Sequence, residues 1–148
     1  QESLHRTMAA QMLGWAKKHK GSLVISSVAV KSTVNENQVV AAGSTESAKS
    51  KLKQAGFLVL QHGTIPGIPG SLLNEGMLNN QDVVVVLFNA KDSEPDFKAS
   101  VHLCLAMAKL MPGVSCNIES LQKDAEIAEK EIKETDQEAK HLKDYMYG

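Results

Sequence analysis

Aromatic side chains make up only 4% of this 148-residue sequence, with one Trp, two Tyr and three Phe. A protein that grips bases or sugars by stacking carries more rings than that. An excess of one charge is missing too. Sixteen basic against 17 acidic residues leave a net charge of −1, which argues against a nucleic-acid partner. Two cysteines, Cys104 and Cys116, are too few for a disulfide framework or a metal quartet. Cys104 falls on an apolar helical face and is expected as a buried, inert thiol, which fits a reducing cytoplasm. No run of about 18 apolar residues is present to cross a membrane, and no secretory signal opens the chain. The first residue is Gln1 and a helical pattern begins at once, so the sequence reads as the C-terminal portion of something longer.

Familiar catalytic and binding signatures are absent as well. The histidines, His5, His19, His62, His102 and His141, lack the spacing of a zinc helix, and no acid joins them in a ligand pattern. There is no Gly-x-Ser-x-Gly elbow around Ser26, Ser27 or Ser71. Glu75 and Asp82 can be drawn as a carboxylate pair, but nothing in the sequence singles them out. These absences lead us to expect no metal, no cofactor and no active site.

What is present is organised around the last 30 residues. Ile118, Leu121, Ala125, Ala128, Ile132, Thr135, Ala139, Leu142 and Met146 follow alternating steps of three and four, a strict heptad. Such a pattern gives a helix one narrow seam, the width of a coiled-coil stripe. From Leu121 to Met146 it spans roughly 38 Å. Glu119–Lys123, Glu126–Lys130, Glu129–Lys133 and Asp136–Lys140 are acid-before-base pairs four apart, each contributing about 0.2–0.5 kcal/mol in an exposed helix. Ala125, Ala128, Thr135 and Ala139 weaken the seam because they bury little, so the helix either packs by close approach or projects. Charge separates it from the body: residues 1–118 hold 11 basic and 8 acidic groups, whereas 119–148 hold 5 and 9. We therefore divide the chain into a domain over 1–117 and a C-terminal helix with its tail over 118–148.

The remaining chain alternates strands and helices. Residues 2–19 read as a helix with Leu4, Met8, Met12, Trp15 and Ala16 near one face, stopped by Gly21. Strands are expected at 22–30, 38–42, 57–60 and 82–88. The last of these, DVVVVLF, should be the central parallel strand, covered on both faces. Helices are expected at 46–54 behind a Gly43-Ser44-Thr45 cap, at 71–78, and from Ser93-Glu94-Pro95-Asp96 to Met111. The inner stripe of that last helix is read as Phe97, Val101, Cys104, Ala108 and Met111, widened by Leu103, Leu105 and Leu110. The fold class is α/β, a layered and mostly parallel sheet flanked by helices.

Between the third strand and the next helix lies the loop 62–70, His-Gly-Thr-Ile-Pro-Gly-Ile-Pro-Gly. A strand-to-helix loop is a common place for a small molecule, and His62, Gly63, Gly67 and Gly70 are its candidate ligand residues. It lacks both the Gly-x-Gly-x-x-Gly order and a Gly-Lys-Ser/Thr ending, and its prolines remove donors. On this pattern the glycines and prolines suit a tight strand-to-helix turn that holds no ligand better than they suit a ligand cradle.

Residues 64–76, TIPGIPGSLLNEG, resemble the loop and helix of the proteasome assembly chaperone family in its archaeal form. The order that follows fits as well: the apolar strand, Pro95-Asp96 opening a helix, and a KLMPG ending at 109–113. The resemblance implies a nucleoside-phosphorylase-like domain, here without its first strand and glycine turn, and a non-enzymatic role on the 20S core particle. It also gives meaning to the tip. Met146-Tyr147-Gly148 is similar to the hydrophobic–tyrosine–any-residue ending by which proteasome activators and assembly chaperones dock between α-ring subunits. The implied protein is a cytoplasmic homo-oligomer, with a tetramer favoured, whose partner is the α ring. The alternatives are a phosphorylase-like enzyme or nucleotide binder using the 62–76 loop, and a coiled-coil interaction module.

Overall fold

The computed structural model describes residues 2–31, 39–89 and 97–147, with the side chains at 97, 98, 129, 132, 133 and 136–147 outside that description. The elements are α1 (Glu2–Lys18), β1 (Val24–Val30), β2 (Val40–Gly43), α2 (Glu46–Gln54), β3 (Leu58–Val59), α3 (Gly67–Leu78), β4 (Val83–Asn89), α4 (Phe97–Leu110) and α5 (Ile118–Tyr147).

Four valines in a row explain why β4 lies at the centre. Val83, Val84, Val85 and Val86 are all 0% exposed, which requires cover on both faces of the sheet. Their alternation splits the core in two. Val84 and Val86 join Ala41, Ala48, Leu52, Phe57, Val59 and Ala106 beneath α2 and α4, with Leu103 and Leu110 packed alongside. Val83 and Val85 join Ala9, Leu13 and Leu72 beneath α1 and α3. Each buried valine contributes about 1.5–3 kcal/mol relative to exposure. The result is a sheet between two helical layers.

The sheet is mixed: two of its three pairings are parallel, but β4, expected as the central parallel strand, is antiparallel to one of its two neighbours. Its order is β1-β4-β2-β3. β1 runs parallel to β4, from Val24 opposite Val83 to Val30 opposite Asn89. β2 pairs antiparallel to β4, with Val40 opposite Leu87 and Gly43 opposite Val84, and β3 runs parallel to β2. The span between β1 and β2 is too short to hold a crossover helix, so these two strands run in opposite directions.

Two helices present different faces from those expected. In α1 the buried residues are Ala9, Leu13 and Ala16, while Leu4, Met12 and Trp15 are 60%, 48% and 65% exposed. In α4 the inner stripe is Ala99, Leu103, Ala106 and Leu110. Val101, Cys104, Ala108 and Met111 are only half-buried, and Phe97 and the expected helix start at 93–96 lie outside the described side chains or residues. The two cysteines are also not inert thiols: Cys104 and Cys116 are joined in a disulfide, their Cα atoms 5.8 Å apart. Met111–Gly113 reverse the chain after α4 and bring Cys116 back beside that helix. No described helix is long and apolar enough to cross a membrane.

Candidate functional site

The predicted loop forms one wall of a hollow. The hollow, of about 510 Å³, is lined by Ala42 from the end of β2, by 60–65 after β3, and by Gly70, Leu73 and Asn74 of α3. Of the four named loop residues, His62, Gly63 and Gly70 line it; Gly67 instead begins α3. That helix starts one turn earlier than expected, because Pro69 falls in the first turn, where a missing N–H costs nothing. Gly70 is held by a close approach: a Cβ there would lie 1.8 Å from the Ile65 carbonyl oxygen. The loop thus packs on the helix it introduces, and the glycine serves that contact.

Chemically the hollow is sparse. Gln61, His62, Thr64 and Asn74 supply its polar side chains, and among the described residues no carboxylate lines it. His62 is exposed, and none of the described residues lining the hollow with it is an acid that could orient its ring. Among the described residues, no group of His, Cys, Asp and Glu is arranged to hold a metal.

The two carboxylates are not a pair; each holds a different junction of the fold. Glu75, buried on α3, accepts a hydrogen bond from Arg6 Nε at 2.7 Å and ties α1 to α3. Asp82, at the entry to β4, accepts from Thr45 Oγ1, from Ser47 Oγ at 2.7 Å and from Lys51 Nζ at 2.7 Å. Burial pushes the Asp82 carboxyl up, but the bonds from Lys51, Thr45 and Ser47 outweigh it and hold the group below its ordinary value. Thr45 does double service. Its Oγ1 also accepts from Ala48 N at 3.0 Å, the N-cap bond that the sequence led us to expect. Ser44 joins the same corner, donating to the Gln81 carbonyl and accepting from Val83 N. Sequence reasoning missed this corner, although the run Ser44-Thr45-x-Ser47 before a helix carries the signal.

At the other end of the chain, Asn117 caps α5, its Oδ1 accepting from Ser120 N at 3.1 Å. Along α5, Leu121, Ala125 and Ala128 of the predicted seam are half-buried, while Ile127, off the seam, is 56% exposed. The principal neighbour of α5 is α4. The helix extends to Tyr147. The side chains of Met146 and Tyr147, and all of Gly148, lie outside the described residues.

Together these features define an α/β scaffold in which Glu75 and Asp82 brace helices, with a polar hollow beside the loop 60–65 and the 30-residue helix α5. The chain belongs to the PAC2 family, whose model matches residues 1–136. Among proteins of curated function, none matches it. Solved structures share the fold. PbaA of Pyrococcus furiosus, an archaeal homolog of proteasome-assembly chaperone, is 23% identical with a TM-score of 0.75, over 97% of this chain and 61% of that one. PbaB of the same organism, an archaeal proteasome activator, is 24% identical with a TM-score of 0.65, over 89% of this chain and 58% of that one. A proteasome-assembly chaperone homologue of Mycobacterium tuberculosis is 20% identical with a TM-score of 0.59, over 88% and 56%. The chain therefore spans about three fifths of the length of these relatives. The resemblance read from residues 64–113 is thus met at the level of family. The tip at 146–148 lies beyond the matched stretch.

Proposed function

We propose that this protein is a non-enzymatic proteasome assembly chaperone or activator, built on a nucleoside-phosphorylase-like domain. On this reading it is a homo-oligomer, with a tetramer favoured. Its C-terminal tails enter pockets between α subunits of the 20S core particle. The observation that carries the reading is the conjunction of family membership with a 30-residue helix, α5, that ends in Met-Tyr before the final glycine.

The chemistry of such a tail is simple. A terminal carboxylate at Gly148 would pair with a pocket lysine. Tyr147 offers a ring to bury and a hydroxyl to hydrogen-bond, and Met146 adapts to an irregular apolar gap. Each tail binds weakly. Several tails on one oligomer raise the local concentration of the rest, and overall affinity can then exceed that of a single tail by 10²-fold or more. The acidic balance of residues 119–148 favours approach to a basic ring surface.

The test is co-sedimentation of purified 20S particles with the full chain and with a version ending at Tyr145. The full chain is expected to co-migrate and the shortened one to remain free. Equal binding by the two would remove the tail from the mechanism.

A further inference from the structure

The connection from α4 to α5 carries a consequence for how the tail is presented. Cys116 directly precedes Asn117, the residue that caps α5. Cys104 lies six residues before the end of α4. The disulfide therefore ties the residue just ahead of the α5 cap to the second half of α4. Beyond the disulfide, the connection is held by a turn in which Val114 N donates to the Met111 carbonyl and by the Asn117 cap. Residues 112–115 and 117 are exposed, and Gly113 takes a positive φ of 85°. The non-covalent contacts at the base are modest: Leu121, Ala125 and Ala128 are half-buried, while Val114 and Ile118 are 51% and 40% exposed.

We propose that the Cys104–Cys116 disulfide is a redox-sensitive lock on the direction of α5, so that reduction uncouples the tail from the body. This rests on the tail-docking reading above. The reductant is a dithiol. Its two thiols become a disulfide, two electrons and two protons pass to the protein, and the Cys104–Cys116 bond is replaced by two thiols. The exposed linker on both sides of Cys116 leaves that end open to attack. The lever is long. A 10° tilt at the base of a 30-residue helix moves its far end by roughly 8 Å over about 45 Å of length. A pocket that reads a carboxylate, a tyrosine and a methionine together does not tolerate that displacement. Tails released from a common direction also lose part of the avidity that the oligomer provides.

The experiment compares the full chain purified without reductant, the same chain after treatment with a dithiol, and Cys116→Ser. Alkylation before reduction should label neither cysteine, and after reduction both. Amide hydrogen exchange over 118–128 should quicken roughly tenfold on reduction and in Cys116→Ser, with β4 unchanged. Binding to 20S particles should fall by about tenfold in both. Two free thiols in the untreated chain, or unchanged exchange over 118–128, overturns the lock. Faster exchange with unchanged ring binding, while the version ending at Tyr145 does not bind, overturns the redox control and leaves tail docking standing. If the untreated full chain itself does not bind the ring, docking falls and the regulatory half of the inference falls with it.

Discussion

Asp82 offers a sharp test of the physics that holds this fold together, because two opposing effects act on one carboxylate. Its side chain is only 14% exposed, and burial by itself disfavours the charge. Against this stand the hydroxyls of Thr45 and Ser47 and the ammonium of Lys51. A hydrogen bond to a charged group contributes about 1.5–3 kcal/mol before competing costs are counted. Lys51 is 43% exposed, so its share is screened to about 1 kcal/mol or less. Setting the desolvation cost against these bonds, we expect Asp82→Ala to lose about 2–3 kcal/mol, a fall in Tm of roughly 5–10 °C at this chain length. Asp82→Asn keeps an acceptor but not the charge, and should lose about half as much.

The pH dependence follows from the sign of the shift. The Asp82 carboxyl is held below its ordinary value in the folded protein. The folded state therefore gives up its proton more readily than the unfolded chain, whose aspartate titrates near about 3.9. The resulting stabilisation is complete above about pH 4 and drains away as pH falls through the lower, folded value. Asp82→Asn cannot titrate, so the stability gap between it and the native protein should be constant from pH 7 to 5 and narrow below about pH 4. Urea unfolding followed by circular dichroism measures the gap, with the m-value as a check that the unfolded state is unchanged. A gap that widens on acidification, or a carboxyl resonance of Asp82 titrating above about 4, would mean that burial has won.

Three further outcomes can be checked in the same way. Gly14 lies exposed within α1, and a methyl group added there would meet nothing within 4 Å, so Gly14→Ala should raise stability by about 0.5–1 kcal/mol in urea titration. Gly70→Ala drives a methyl into the Ile65 carbonyl and should cost about 1–3 kcal/mol or more, with the loss visible as a lower Tm and a changed environment at His62. Arg6 and Glu75 differ in burial, their side chains being 70% and 11% exposed. Arg6→Ala should therefore cost about 1–3 kcal/mol by leaving a buried carboxylate unpaired, and Arg6→Ala/Glu75→Leu should recover part of that loss, measured as a double-mutant cycle.

How much of this architecture could be read from residues alone depended on whether one strong local signal decided the matter. Four consecutive valines admit one explanation, and Val83–Val86 lie at the centre of the sheet. Thr45 ahead of a helical pattern admits one explanation too, and its hydroxyl makes the cap. The helix faces were different, because α1 and α4 carry apolar residues on several sides. Side-chain size is a poor guide there: Ala9, Leu13 and Ala16 face inward in α1, and Ala99, Leu103, Ala106 and Leu110 in α4, with steps of four and three. Alanine lets a helix sit close to a neighbouring layer, so the inner stripe is the regular one rather than the bulky one, and Trp15 is left outside. Strand direction lay in a quantity that side-chain patterns do not express, the length of the β1–β2 connection. The disulfide depended on a chain reversal at Met111–Gly113 that sets two residues 12 apart beside one another. The candidate loop divides along the same line. Gly70 answers to a close backbone contact and Gly67 to a helix start, so a glycine-rich stretch that resembles a ligand cradle is, at these two positions, accounted for by the fold.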